Sequence, residues 1–270
     1  MASGLRERIV TALALAAVIV GVLLWTPARV AVVLIVAAFL AGAWEWAGFA
    51  GLVSTTRRAL YVAAVGAAIA AAWWFTREAP QLTGFLRVAA LWWLLAFLWL
   101  ALASQRGGRV AAAVVGFLVL VPAAIGLARL VLVEPNGRAL LLYLIVLIAA
   151  ADVGAYFGGR TLGRHKLAPR VSPGKTWEGF AAGMLSSACA AAAGAALFGA
   201  PLRAWLALCV VVALVSVVGD LFESMFKRRA GLKDSGNLLP GHGGVLDRLD
   251  SLTAAGPTFL LGLYTLGIPA

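Results

Sequence analysis

Residues 202–251 read LRAWLALCVVVALVSVVGDLFESMFKRRAGLKDSGNLLPGHGGVLDRLDS, and two kinds of sequence meet inside them. The stretch 202–218 is apolar apart from Arg203 and Ser216 and has the length of a helix crossing a ~30 Å hydrocarbon layer. From Ser216 to Ser251 come five cations (Lys227, Arg228, Arg229, Lys233, Arg248) and five carboxylates (Asp220, Glu223, Asp234, Asp247, Asp250). Cations of this kind suit phosphate oxygens, and carboxylates suit a hard divalent ion such as Mg²⁺, which favours carboxylates together with substrate phosphates. Chemistry on phosphates at a membrane boundary is the first expectation.

Working outward, the 270-residue chain is 63% hydrophobic and only 12% charged, against roughly 45–50% and about 25% in soluble domains. The sequence therefore predicts an all-α polytopic membrane protein with about nine spans, near residues 9–25, 30–44, 59–75, 88–103, 110–133, 139–157, 179–198, 202–218 and 252–268. Residues 1–150 read as N-terminal transmembrane helices and 151–270 as a catalytic transmembrane region of the same integrated domain. Arg6 and Arg8 before an apolar core resemble a signal peptide, but no small-x-small cleavage site precedes the second run, so the pair reads as an uncleaved hairpin.

The net charge of +11 has no basic, aromatic-interleaved soluble module to carry it, which excludes a nucleic-acid binder. Cys189 and Cys209 both lie in apolar runs and support neither a disulfide framework nor a zinc site. Sixteen of the 22 Lys and Arg fall on one side of the expected topology, five on the other, and Arg129 within a span. Positive charge collects in cytoplasmic loops, so the N-terminus and both long polar loops are expected in the cytoplasm. In the N-terminal half, Glu45 reads as an interfacial residue reaching headgroup water. Pro122 reads as a kink and Arg129 as a snorkelling end.

Seven of the eleven acidic residues lie between positions 152 and 250. Asp152 interrupts an apolar span, where an ionisable group is costly, and Tyr156 shares its helical face at i+4. Ser216, Asp220, Glu223 and Lys227 fall four, three and four apart, so one face of a helix end presents a hydroxyl, two carboxylates and an ammonium. Ser172-Pro173-Gly174-Lys175-Thr176 tempts a P-loop reading, which fails because Pro169 stands in place of the first glycine and no strand precedes it. A tight turn remains, presenting Ser172, Lys175 and Thr176 beside Glu178, suited to triphosphate oxygens or to capping the next helix. The glycine-rich run around His242 can aim amides at an anion, and Asp247, Arg248 and Asp250 open the last span.

These residues carry a resemblance. Ser224-x-Phe226-Lys227-Arg228, Lys233-Asp234-x-Gly236, Leu239-Pro240-x-His242-Gly243-Gly244 and Asp247-Arg248-x-Asp250, in that order, resemble the C-terminal signature of the phosphatidate cytidylyltransferases. Ser172-Pro173-x-Lys175-Thr176-x-Glu178-Gly179 and Asp152-x-x-Ala155-Tyr156 are similar to two upstream motifs, with Val153 departing from the family's usual Thr. The resemblance implies that CTP and phosphatidic acid yield CDP-diacylglycerol and pyrophosphate at a bacterial inner membrane, with Mg²⁺ required and a second cation as an addition. It implies metal ligands among Asp220, Asp247, Asp250 and Glu223, and substrate contacts from Asp152, Tyr156, Ser172, Lys175, Thr176 and Glu178. Catalytic roles fall to Lys227, Arg228, Lys233, Asp234, His242 and Arg248. The bilayer is the obligatory surrounding and a homodimer one candidate assembly. Rival readings are a CTP-dependent lipid kinase and, from another class, a secondary transporter with carboxylates in its spans. A CDP-alcohol phosphotransferase lacks its aspartate motif here.

Overall fold

The computed structural model describes residues 14, 17–133, 135–238 and 243–268. Its helices are α1 (Ala28–Phe49), α2 (Thr55–Phe75), α3 (Ala79–Ala103), α4 (Arg109–Val131), α5 (Gly137–Leu162), α6 (Trp177–Phe198), α7 (Leu202–Arg229) and α8 (Leu246–Leu266). Residues 17–25 are also helical; the start of the first expected span, with Arg6 and Arg8, lies outside the described residues. Among the described residues, seven helices, α1 to α7, are long and apolar enough to cross a membrane, so the chain is a multi-pass α-helical membrane protein. By that measure α8 falls outside the seven. It carries Asp250, Ser251, Thr253, Thr258 and Thr265 along its length.

Alanine- and leucine-rich runs make these helices, and local chemistry sets their ends. Ser54 caps α2 by accepting the Arg57 N–H at 3.3 Å, and Thr176 caps α6 by accepting the Gly179 N–H at 3.1 Å. The second of these is the capping role that the sequence offered for Thr176. Gly199 (φ 61°) and Gly267 (φ 57°) end α6 and α8 in the left-handed conformation that costs glycine little. Helix α4 continues through Pro122.

The polar α8 is shielded by its neighbours. It packs against α7, α4, α3, α1 and α5, and Ala254, Ala255, Phe259 and Leu260 are fully buried. Close approach depends on missing side chains. A Cβ at Gly126 of α4 would lie 2.8 Å from the Pro257 backbone, and one at Gly219 of α7 would lie 2.7 Å from the Asp250 carbonyl. Helices α5 and α6 meet in the same way: a Cβ at Gly183 would fall 2.8 Å from the Ala151 carbonyl and one at Gly179 2.7 Å from that of Ala155. This contact fixes the position of Asp152, next to Ala151, relative to the loop that enters α6.

That loop departs from the all-α expectation. Strands β1 (Lys166–Ala168) and β2 (Ser172–Thr176) form an antiparallel hairpin pairing Lys166 with Thr176 and Ala168 with Ser172. Lys175 therefore projects from a strand, not from a phosphate-cradling loop. Arg129 also differs from expectation. Its guanidinium donates to the Trp73 carbonyl at 2.8 Å and lies 4.0 Å over the Trp73 ring, so it ties α4 to the end of α2 instead of snorkelling.

Gly183→Val is expected to lower stability by roughly 1–3 kcal/mol through overpacking against α5. Gly84→Ala in α3, where an added Cβ meets nothing within 4 Å, should be neutral or stabilising by up to about 1 kcal/mol. Thermal unfolding of both variants in one detergent checks the contrast.

Candidate active site

Two cavities open beside the hairpin. The first, about 470 Å³, is lined by Asp152, Tyr156, Lys175, Thr176, Phe180 and Val217 among others. Helix α5 supplies Asp152 and Tyr156, while β2 delivers Lys175 across from them. The second, about 480 Å³, is almost wholly apolar, with Trp93, Phe97, Trp177 and Leu221 in its wall. Both cavities share Leu167, Phe180 and Val217. A polar chamber and a hydrocarbon chamber thus adjoin across three side chains.

Behind the polar chamber, acidic and basic groups alternate. Lys175 Nζ lies 2.6 Å from Asp220 Oδ2, and the Ser224 hydroxyl donates to Asp220 Oδ1 at 3.3 Å. Asp152 and Asp250 both lie within electrostatic range of Asp220 and Lys175. The missing side chain of Gly219 brings Asp250 that close, since α7 and α8 touch there. Further along α7, Lys227 is sandwiched between Glu223 Oε1 at 3.0 Å and Asp247 Oδ1 at 2.7 Å. All three are largely buried, with side-chain exposures of 9%, 3% and 10%. Asp247 Oδ2 also accepts the Ser235 and Gly244 amides, each at 2.9 Å.

The expected site residues divide accordingly. Asp152, Tyr156, Lys175 and Thr176 line the polar chamber, with Tyr156 accepting a 2.7 Å hydrogen bond from Arg160. Ser172 opens β2 outside that lining. Glu178 has its oxygens engaged by the Arg164 amide at 3.0 Å, the His165 amide and the His165 ring at 2.6 Å, so it fastens the loop. Asp220 and Asp247 engage different lysines. Lys227 is buried, whereas Arg228, Lys233, Asp234 and Arg248 are exposed at the same end of the bundle. Arg228 reaches the Val171 carbonyl at 3.4 Å. His242 lies outside the described residues. Ser216 donates to the Ala213 carbonyl at 2.8 Å and is withdrawn from the polar face.

Two residues were missed by the spacing argument. Arg229 donates to the Ser104 carbonyl at 2.8 Å and stacks on Trp99 and Phe226, holding α7 against α3. Glu45, expected at the headgroup level, is only 4% exposed and reaches the loop before α8. Its place between Trp44 and Trp46 hid this, because the tryptophan pair signals an interface. The burial of Trp46 turns the segment inward.

Among the described residues, no three His, Cys, Asp or Glu gather closely enough to hold a metal ion by themselves. The donor chemistry nevertheless fits a hard cation. Mg²⁺ is usually held by one or two carboxylates with phosphate oxygens completing the shell, and both Glu223 oxygens are buried without a hydrogen bond, Oε1 lying 3.0 Å from Lys227 Nζ. Removing Lys227 would leave a buried charge uncompensated. Lys227→Met is expected to cost about 3–5 kcal/mol, and Glu223→Gln in the same chain should recover part of it; thermal unfolding of single and double variants in detergent is the check.

Residues 6–266 match the model of the Cytidylyltransferase family. A Pseudomonas aeruginosa protein named phosphatidate cytidylyltransferase is 43% identical over 97% of this chain and 98% of its own. A Haemophilus influenzae protein of the same name is 39% identical over 94% and 97%, and one from Brucella suis is 48% identical over 45% and 46%. A polar chamber beside an apolar one at the charged end of a helical bundle, with this likeness over nearly the whole length, leads to one conclusion: the chain belongs to the cytidylyltransferase family.

Proposed function

We infer that this chain is a phosphatidate cytidylyltransferase, converting CTP and phosphatidic acid to CDP-diacylglycerol and pyrophosphate for phospholipid synthesis. The observation that carries the reading is near-full-length identity to proteins named for that reaction. The shared wall between the polar and apolar chambers fits it, because a lipid phosphate and its acyl chains need adjoining spaces of opposite character.

An oxygen of the lipid phosphate forms a bond to the CTP α-phosphorus as the α–β bridging P–O bond breaks, and pyrophosphate departs with that electron pair. A phosphate monoester has its second pKa near ~6 and is mostly dianionic at neutral pH, so no protein base has to take a proton. The obstacle is repulsion between two anions, which calls for positioning and charge compensation. Lys175, held by Asp220 at the wall of the polar chamber, is placed to meet triphosphate oxygens. Arg228, Lys233 and Arg248 at the open end suit the lipid headgroup or the leaving pyrophosphate. Lys227 keeps Asp247 in place from below. Asp220 and Asp250, close across Gly219, with Glu223 and Asp247 next in line, are the residues that would hold Mg²⁺. Bound there with phosphate oxygens, Mg²⁺ supplies charge neutralisation.

The proposed topology has nine spans, adding 17–25 with its preceding residues and α8 to the seven apolar helices. The N-terminus and both polar loops face the cytoplasm of a bacterial inner membrane, as the distribution of Lys and Arg supports. A lipid kinase using the same nucleotide would release CDP, whereas this reaction releases pyrophosphate.

Purified protein given radiolabelled CTP, phosphatidic acid and Mg²⁺ is expected to place label in a chloroform-extractable liponucleotide and to release pyrophosphate. Release of CDP, or no lipid label, would refute the assignment. Lys175→Ala is expected to lower kcat/KM for CTP by roughly 10- to 100-fold, the loss of one charge-assisted contact, read from initial rates across CTP concentrations.

A further inference from the structure

Glu45 lies in α1, far in sequence from every motif of the site, yet its carboxylate meets three donors of the signature region. Oε1 accepts the Val245 N–H at 3.0 Å; Oε2 accepts the Leu246 N–H at 2.8 Å and the Ser235 hydroxyl at 3.0 Å. Helix α8 has no side-chain cap of its own. Its first amides would be unsatisfied donors in a buried setting, and a carboxylate from another helix satisfies them and favours the positive end of the helix dipole.

The same carboxylate also shapes the segment before α8. A Cβ at Gly236 or Gly244 would collide with the Glu45 side chain, so both glycines leave room for it. Ser235 passes the constraint onward. Its hydroxyl, donating to Glu45, accepts the Asp247 N–H at 3.3 Å, while its own amide donates to Asp247 Oδ2 at 2.9 Å. Asp247 in turn holds Lys227. An unbroken series of polar contacts thus runs from α1 through Ser235 and Asp247 to Lys227 and Glu223. Burial argues for a role, since a carboxylate so placed in a membrane helix is costly unless its partners require it.

We propose that Glu45 is a positioning residue of the active site: it fastens the segment 235–236 and the start of α8 so that Asp247 and Lys227 stand in register with the polar chamber. Acting through Asp247, it touches no substrate. Its loss should therefore lower turnover and leave CTP affinity nearly intact. The inference rests on the cytidylyltransferase reading for its kinetic readout alone.

The test combines kinetics with amide hydrogen exchange on the full-length protein in detergent–phosphatidate micelles. Glu45→Gln keeps the size but sets an NH₂ group against donors; Ser235→Ala, a milder change, removes the hydroxyl that links Glu45 to the Asp247 amide. For both variants we expect kcat to fall, by roughly 10- to 100-fold in Glu45→Gln, with KM for CTP changed less than about threefold, the signature of displaced machinery with binding retained. Exchange should quicken at 235–238 and 243–248 and stay unchanged in α5. Wild-type kcat, or exchange that quickens equally throughout the bundle, would overturn the proposal. If the wild-type protein makes no liponucleotide, the function assigned above fails. The exchange pattern then still decides whether Glu45 fastens this segment, unchanged exchange at 243–248 being the contrary result.

Discussion

The structure depends on one constraint: a charge buried among the membrane helices has to be compensated within the protein. Water is scarce there and Coulomb interactions are strong, so a lone carboxylate or ammonium is costly and a pair is tolerated. The chain answers by alternation. Lys175 faces Asp220, and Lys227 stands between Glu223 and Asp247. Lys175 joins β2 to α7 through Asp220, and Lys227 of α7 holds Asp247 of α8 beside Glu223, two carboxylates that would otherwise repel one another, so the ion pairs fix β2, α7 and α8 relative to one another. The cavity that Lys175 enters inherits its shape from that arrangement.

Glycine makes the alternation possible. Gly219 lets α8 approach α7 where Asp220 and Asp250 lie, and Gly179 and Gly183 let α6 approach α5 beside Asp152. Small residues bring the backbones close, and the polar side chains that follow have little freedom to move apart. The N-terminal helices take part as well. Glu45 and Arg129 act on distant backbone groups, and the end of α3 accepts hydrogen bonds from Arg229. Glu45 thus holds the start of α8, and the end of α3 holds α7.

Much of this was legible in the sequence. Helix-length apolar runs between charged loops mark the helices, and of the residues that the family resemblance groups as substrate contacts, Asp152, Tyr156, Lys175 and Thr176 line one chamber while Ser172 and Glu178 lie outside its lining. Pairing across the bundle was less legible. Helical spacing puts Asp220, Glu223 and Lys227 on one face, but whether Asp220 meets Lys227, a metal or Lys175 depends on where β2 ends. The hairpin is not legible because KLA and SPGKT are short, with a proline and a glycine in the second strand. Glu45 was read from its two neighbouring tryptophans, and the burial of Trp46 in the core is a tertiary fact. Arg129 looked like a snorkelling end because its acceptor, the Trp73 carbonyl, belongs to another helix.

Nucleotide and lipid are proposed to meet in the chamber walled by Asp152, Tyr156 and Lys175, at the bundle end where lysines and carboxylates alternate. Photocrosslinking with an azido-CTP analogue, followed by peptide mapping of the labelled protein, addresses this directly. Label is expected within 152–184 and 217–248, competed away by unlabelled CTP. Competable label confined to helices α1 and α2, which line neither chamber, would contradict it.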